Sequence, residues 1–279
     1  MKQFSLTTKP MAEKTEKGRP MKIQKKIFIT GEIEAKTGLH IGSKDIGMSI
    51  GSTENTVIRH PITQEPYIPG SSLRGKMRSL IERVDGKFGS KPMSDEVKNG
   101  PYIDDLTNVI CKLFGVPAEK ASEGKKPCSR LIVRDCILVQ DNQKGSAKWL
   151  RDAKYTDMPY TEVKTEVVID RITSAAMPRQ LERVPAGTRF EIEMVINLWD
   201  DDTEDDEKEY ISKLFQGFML LQDDYLGGHG SRGSGKVKIG LLDITQRVLE
   251  DYKNCNQPQS YSLVTIPDEL KMDSENANM

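Results

Sequence analysis

The sequence predicts an α+β fold built on a ferredoxin-like (RRM-like) palm. Three observations carry that prediction. IFITGEIEA near the start and TRFEIEMVINLW further on alternate apolar and polar residues, as half-buried strands do. SSLRGKMRSLIERV and EYISKLFQGFMLLQ repeat apolar residues at helical spacing. With the strand-like RLIVRDCILV and KVKIGLLDI, the order is β-α-insertion-β-insertion-β-α-β. That is the split βαβ order of ferredoxin-like domains, shared by modules that read RNA on a four-stranded sheet.

The elements follow in turn. Residues 1–20 are polar and basic, with Gly18 and Pro20 near their end, and read as a flexible tail. They lack the apolar segment of a secretory signal. Ile27, Ile29 and Ile33 then mark one face of the first strand. SKDIGMSIGSTENTVIRHP has no period and reads as a loop. Pro69-Gly70 makes a turn, and Ser71 or Ser72 is placed to cap the helix carrying Leu73, Met77, Leu80, Ile81 and Val84.

Residues 85–128 form an insertion, with a short helix from Asp104 to Phe114 stopped at Gly115. Arg130–Val139 reads as a strand, and residues 141–187 as a long irregular region. Phe190, Ile192, Met194, Ile196 and Leu198 share one face of the next strand. Ile211, Leu214, Phe215, Phe218 and Leu221 form the stripe of the second long helix. One domain therefore spans residues 21–250, and residues 251–279 read as a polar C-terminal tail.

Composition narrows the function. No apolar run approaches the ~18 residues a membrane span needs, so a cytoplasmic protein without a membrane partner is expected. The net charge is −1, but Lys2–Lys26 is basic and Asp200–Glu209 acidic, so one face can still be basic. Cys111, Cys128, Cys136 and Cys255 form no C-x-x-C pair, which is poor spacing for zinc.

The stretch LGGHGSRGSGK, Leu226–Lys236, contains G-x-G-x-x-G at Gly228, Gly230 and Gly233. A dinucleotide fingerprint follows a strand and opens a helix, whereas here a helix precedes and a strand follows. A P-loop needs Ser or Thr after Gly235-Lys236, and Val237 stands there. No nucleotide cofactor is expected. Glycines that let a phosphate reach backbone amides, with Arg232 and Lys236 among them, fit an RNA backbone instead. The helix after Pro69-Gly70 offers a second such corner, with Ser72, Arg74, Lys76 and Arg78 near its N-terminus.

TGLHIGS, ENTVIRHPITQEPYIPGSSLRGKMRSLIE, YTEVKTEVVIDRITSAAMPRQLERV and DYLGGHGSRGSGKV resemble the Csm-type RAMP backbone subunit of type III CRISPR interference complexes. The similarity runs from about residue 24 to 245, with the motifs in the family's order. The resemblance implies a helical lid at about 85–128 and a thumb β-hairpin at about 160–187. It implies a filament of copies along a guide RNA, complementary target RNA, and further effector subunits: a large signalling subunit, small subunits and one at the guide 5′ end.

Residue by residue, it implies guide contacts at His40, Lys76, Arg78 and Arg171. It adds Gly227, Gly228, Gly230, Arg232 and Gly233 in the loop, and Met177, Pro178 and Arg179 in the thumb. His40 could equally satisfy a core hydrogen bond, and Arg171 could pair with Asp170 or Glu166. The family cleaves target RNA with an aspartate in the loop after TGLHIG, using Mg2+ or another divalent cation. Here that position is Glu54, the expected catalytic and metal-binding carboxylate, with Asp45 as a nearby substitute. A carboxylate one methylene longer leaves open a subunit that binds RNA without cutting it. A standalone RNA-processing nuclease using His40 is the reading from another class.

Overall fold

The computed structural model describes residues 22–42, 56–86, 107–116, 129–154 and 156–272. Glu54 and Asp45 lie outside these residues, as do the tail 1–20 and most of the insertion 85–128. Strand β1 (Ile23–Ala35) buries Ile27, Ile29 and Ile33 completely, as its period-two pattern dictates. It pairs antiparallel with β5 (Arg189–Trp199) on one side and with β6 (Val237–Val248) on the other. The short strands β2 (Leu131–Val133) and β7 (Gln259–Ser260) close the edges, giving the order β2-β5-β1-β6-β7. The result is a mixed α/β fold on an antiparallel sheet.

Helices α1 (Gly70–Val84) and α4 (Glu204–Asp223) pack on one another and on one sheet face. Leu73, Met77 and Ile81 of α1 meet Tyr210, Leu214 and Phe218 of α4 in a core shared with Ile27, Ile29, Phe190 and Met194. Each such side chain contributes about 1.5–3 kcal/mol by leaving water.

The acidic run before α4 is structural. Thr203 Oγ1 accepts from Asp206 N at 3.2 Å, and Asp206 Oδ2 accepts from Thr203 N at 3.0 Å, forming a capping box. Burial pushes the Asp206 carboxyl up, but Lys112 and Thr203 outweigh it and bring it down to about 2. Asp202 takes the Arg130 guanidinium and the Tyr210 hydroxyl, and Glu207 takes Lys25.

Four expectations are corrected. Neither Ser71 nor Ser72 caps α1: Pro69 is its N-cap, and Gly70 N donates to Asp135 Oδ1 at 2.7 Å. The expected strand Arg130–Val139 is regular only over β2. Beyond it, Cys136 and Leu138 make single bridges to Ile68 and Phe190. The region 141–187, read as irregular, contains helix α3 (Ala147–Arg151) and the antiparallel hairpin β3 (Glu162–Ile169) with β4 (Ala176–Arg183). The segment after Asp251, read as a tail, folds back as far as Met272. Tyr261 and Leu270 are buried in the core, and β7 pairs with β6, because apolar residues recur among its polar ones. Helix α2 (Val109–Phe114) ends at Gly115 as expected, with φ 74°. Among the described residues no helix is long and apolar enough to cross a membrane.

Candidate nucleic-acid interface

The glycine turn joins α4 to β6 and wraps around His40, at the end of the segment that continues β1. His40 is 7% exposed. Its Nδ1 lies 2.7 Å from the Glu182 carbonyl oxygen, so that nitrogen carries the proton and donates. Burial lowers its pKa, and His229 lowers it further, so the ring is neutral at pH 7. The His40 carbonyl accepts from Gly228 N at 2.8 Å, and the His229 ring meets the His40 ring edge-on at 5.4 Å. His40 thus makes the core hydrogen bond that was one of its two sequence readings, and it also seats the turn.

Gly227 is required there. Its φ is +77°, and a Cβ would lie 2.2 Å from the His40 carbonyl oxygen. Gly233 has φ +84°, and a Cβ added there would meet nothing within 4 Å. Gly233→Ala is therefore expected to cost only backbone strain, about 1–3 kcal/mol. Gly227→Ala adds a backbone clash and should lower stability more than Gly233→Ala does. Thermal melting of the two variants checks this.

Tyr225 lies under Gly230, where a Cβ would strike its ring. Lys76 sits on the same ring at 3.7 Å and pairs with Asp224 at 3.0 Å. Lys76 thereby joins the glycine turn. Its neighbours on α1 do not. Arg74 donates to the Phe114 carbonyl and to Ser129 Oγ, and Arg78 to the Gly115 carbonyl and to Glu82. Both guanidinium groups cap the C-terminal end of α2, where positive charge is favoured. At the N-terminus of α1, Asp135 already occupies the anion position. Arg74 and Arg78, of the basic corner foreseen with Ser72, are thus engaged within the fold.

Two ties hold the hairpin. At its base, Glu182 is 1% exposed and binds three groups from two segments. Its carboxylate accepts from Val57 N at 2.9 Å, Arg59 Nη2 at 2.6 Å and Thr161 Oγ1 at 2.7 Å. Gly42 and Val57, which flank the segment holding Asp45 and Glu54, are bridged to each other. Further out, Lys164 Nζ lies 3.4 Å from the Arg232 carbonyl oxygen, and Glu166 lies 3.7 Å from the Arg232 guanidinium.

Beyond that point Val167, Ile169, Ile172 and Met177 are more than half exposed, with Arg171, Pro178 and Arg179 exposed beside them. Neither ion pair considered for Arg171 forms. Asp170 accepts from Ile172 N and Thr173 N, and Glu166 pairs with Lys164 and Arg232. Arg232 and Lys236 are exposed at the turn. Among the described residues no group of three His, Cys, Asp or Glu could hold a metal ion.

Glu182, Arg59, Thr161, Tyr225 and His229 escaped the sequence reading.

The family model described as the RAMP superfamily matches residues 32–238. The chain belongs to the RAMP superfamily, as a Csm3-type member. Its relatives include the CRISPR system Cms endoribonuclease Csm3 of Methanothermobacter thermautotrophicus, 36% identical over 84% of this chain and 91% of that protein. The protein of the same name from Methanocaldococcus jannaschii is 39% identical over 82% of this chain and 84% of its own length. The crystal structure of Methanopyrus kandleri Csm3 is similar at a TM-score of 0.51 and 20% identity, covering 84% of this chain and 80% of that one. At that identity the likeness concerns the RAMP fold alone.

Proposed function

We propose that this RAMP chain is a guide-RNA-binding backbone subunit of a type III CRISPR effector complex. Copies would line a filament along the guide, beside other effector subunits, and cut the bound complementary RNA at regular intervals. In this reading the sheet with α1 and α4 is a ferredoxin-like palm, since β2-β5-β1-β6 has the split βαβ order. The insertion holding α2 is the lid and the β3–β4 hairpin the thumb. The relatives' shared description as CRISPR endoribonucleases supports the assignment.

One observation carries it. The glycine turn and the hairpin, 68 positions apart at Lys164 and Arg232, meet on one side of the molecule. There Arg232, Lys236 and Lys76 stand at a glycine-lined turn, with Arg179 opposite Glu166 and Arg171 at the exposed apolar tip. Charge for phosphates and apolar side chains for bases are what a single RNA strand needs. The open sheet face is less suited. Glu32, Glu191, Glu193 and Asp243 line it and would repel a phosphate chain.

For cleavage, the target 2′-OH would attack the adjacent phosphate in line, forming a 2′,3′-cyclic phosphate as the bond to the 5′-oxygen breaks and that oxygen leaves as a hydroxyl, taking a proton from water. Glu54, or Asp45, would take the proton or hold Mg2+ or another divalent cation. A bound cation would neutralise charge developing on the phosphate. The described residues contribute the anchoring of that segment, through His40, Glu182 and the Gly42–Val57 bridge.

RNA binding tests the cradle. Affinity for single-stranded RNA should fall with salt, each phosphate contact adding about 0.7 to the logarithmic slope. Replacing both Arg232 and Lys236 with Ala should weaken binding and reduce that slope by about 1.4. A slope unchanged in the double variant would remove the turn from the RNA path.

A further inference from the structure

Glu166 is a carboxylate seated among the cations of the glycine turn. It stands on β3 with one oxygen 2.8 Å from Lys164 Nζ and the other 3.7 Å from the Arg232 guanidinium. Lys164 closes the bridge by donating to the Arg232 carbonyl at 3.4 Å. Lys164 holds the Glu166 carboxyl below the usual carboxylate range, with Arg232 and His229 adding to the effect. Glu166 is therefore charged at neutral pH.

A carboxylate and a phosphate present the same pair of anionic oxygens to a guanidinium, and one Arg232 face cannot serve both fully. The bridge is weak enough to be exchanged. Arg232 is 57% exposed, and ion pairs in water contribute little. It is also the outermost tie of the hairpin. The next inward is the Glu182 network at the base, through Val57 and Arg59. The apolar tip carrying Ile169, Ile172 and Met177 extends beyond it.

We propose that Glu166 stands in for an RNA phosphate at Arg232, latching the hairpin to the glycine turn until RNA displaces it. The latch rests on the reading of the turn as a phosphate cradle. It follows that RNA must exchange for Glu166 to reach Arg232, and that filling the cradle leaves Lys164 as the hairpin's contact with Arg232 and so loosens the hairpin.

The test is a binding titration of the full chain with a labelled single-stranded RNA of mixed sequence at low salt. Glu166→Gln should tighten binding by up to about fivefold, the equivalent of about 1 kcal/mol. Glu204→Gln, which removes the same charge from a pair with Lys208 on α4, should leave affinity unchanged. Arg232→Ala should weaken binding, and in that background the gain from Glu166→Gln should shrink to under about twofold, since the two residues act as a coupled pair. An equal gain in both backgrounds, or none in wild type, overturns the latch and leaves the cradle standing. If Arg232→Ala has no effect on affinity, the cradle itself fails and the latch falls with it.

Discussion

Glu54→Ala is expected to abolish the evenly spaced cutting of a bound target RNA while leaving guide and target bound. General acid–base catalysis by one side chain contributes about 10²–10⁴-fold, so cleavage should fall by at least two orders of magnitude. Binding should persist because the residues proposed to hold RNA, at the glycine turn and hairpin, lie elsewhere in the sequence. The measurement is cleavage of a labelled complementary RNA by the assembled complex with guide and Mg2+. Cuts that survive Glu54→Ala move the role to Asp45, whose Ala variant is then the decisive one. No cuts in wild type, with target bound, would make this chain a scaffold. The extra methylene of Glu is a physical reason for such an outcome, since small misplacements of a reacting group can cost ~10²-fold.

Glu182→Ala should be among the most destabilising single changes on the surface-to-core boundary. It removes the acceptor shared by Val57 N, Arg59 and Thr161 and leaves the partly buried Arg59 guanidinium without its carboxylate. Removing one partner of a buried ion pair costs about 3–5 kcal/mol. Arg59 is 19% exposed, which places the loss at the lower end, about 3 kcal/mol. For a domain of this size that lowers the melting temperature by about 6–12 °C. Glu182→Gln keeps one acceptor oxygen, enough for Val57 N or for Thr161 and Arg59 but not for both sides, and should lose less. Equal melting temperatures for wild type and Glu182→Ala would mean that the network does not hold the hairpin base.

The elements with a clean period were legible in the sequence. β1, β5, α1 and α4 lie where Ile27, Phe190, Met77 and Phe218 place them, because burial on one face imposes the period directly. The strand after Arg130 was less legible. An apolar run does not reveal that Cys136 and Leu138 turn to different partners, Ile68 and Phe190. Caps supplied from a distance were invisible. Ser71 and Ser72 have the right chemistry at the right offset, yet Asp135, 65 positions away, does the work.

The same limit governs the candidate site. The glycines were readable because φ near +77° and backbone packing against His40 demand them. The roles of Arg74 and Arg78 were not. A basic helix face gives no sign of whether it meets a phosphate or the carbonyl end of α2. Glu182 was silent for a similar reason. A buried carboxylate is recognised by its three partners, and they come from segments that the sequence does not connect.

The two short outer strands also have a consequence for how such a chain tolerates crowding with its own kind. β2 spans three residues and β7 two, so neither outer strand itself offers a long row of unpaired amides and carbonyls. Long bare margins are where one chain adds to another by backbone pairing, the route to indiscriminate aggregation. The fold-back that brings Ser260 and Gln259 onto Thr245 and Gln246 covers part of the longer β6 margin. Association between copies is thereby left to side chains, which can be specific about partner and orientation where a backbone ladder is not.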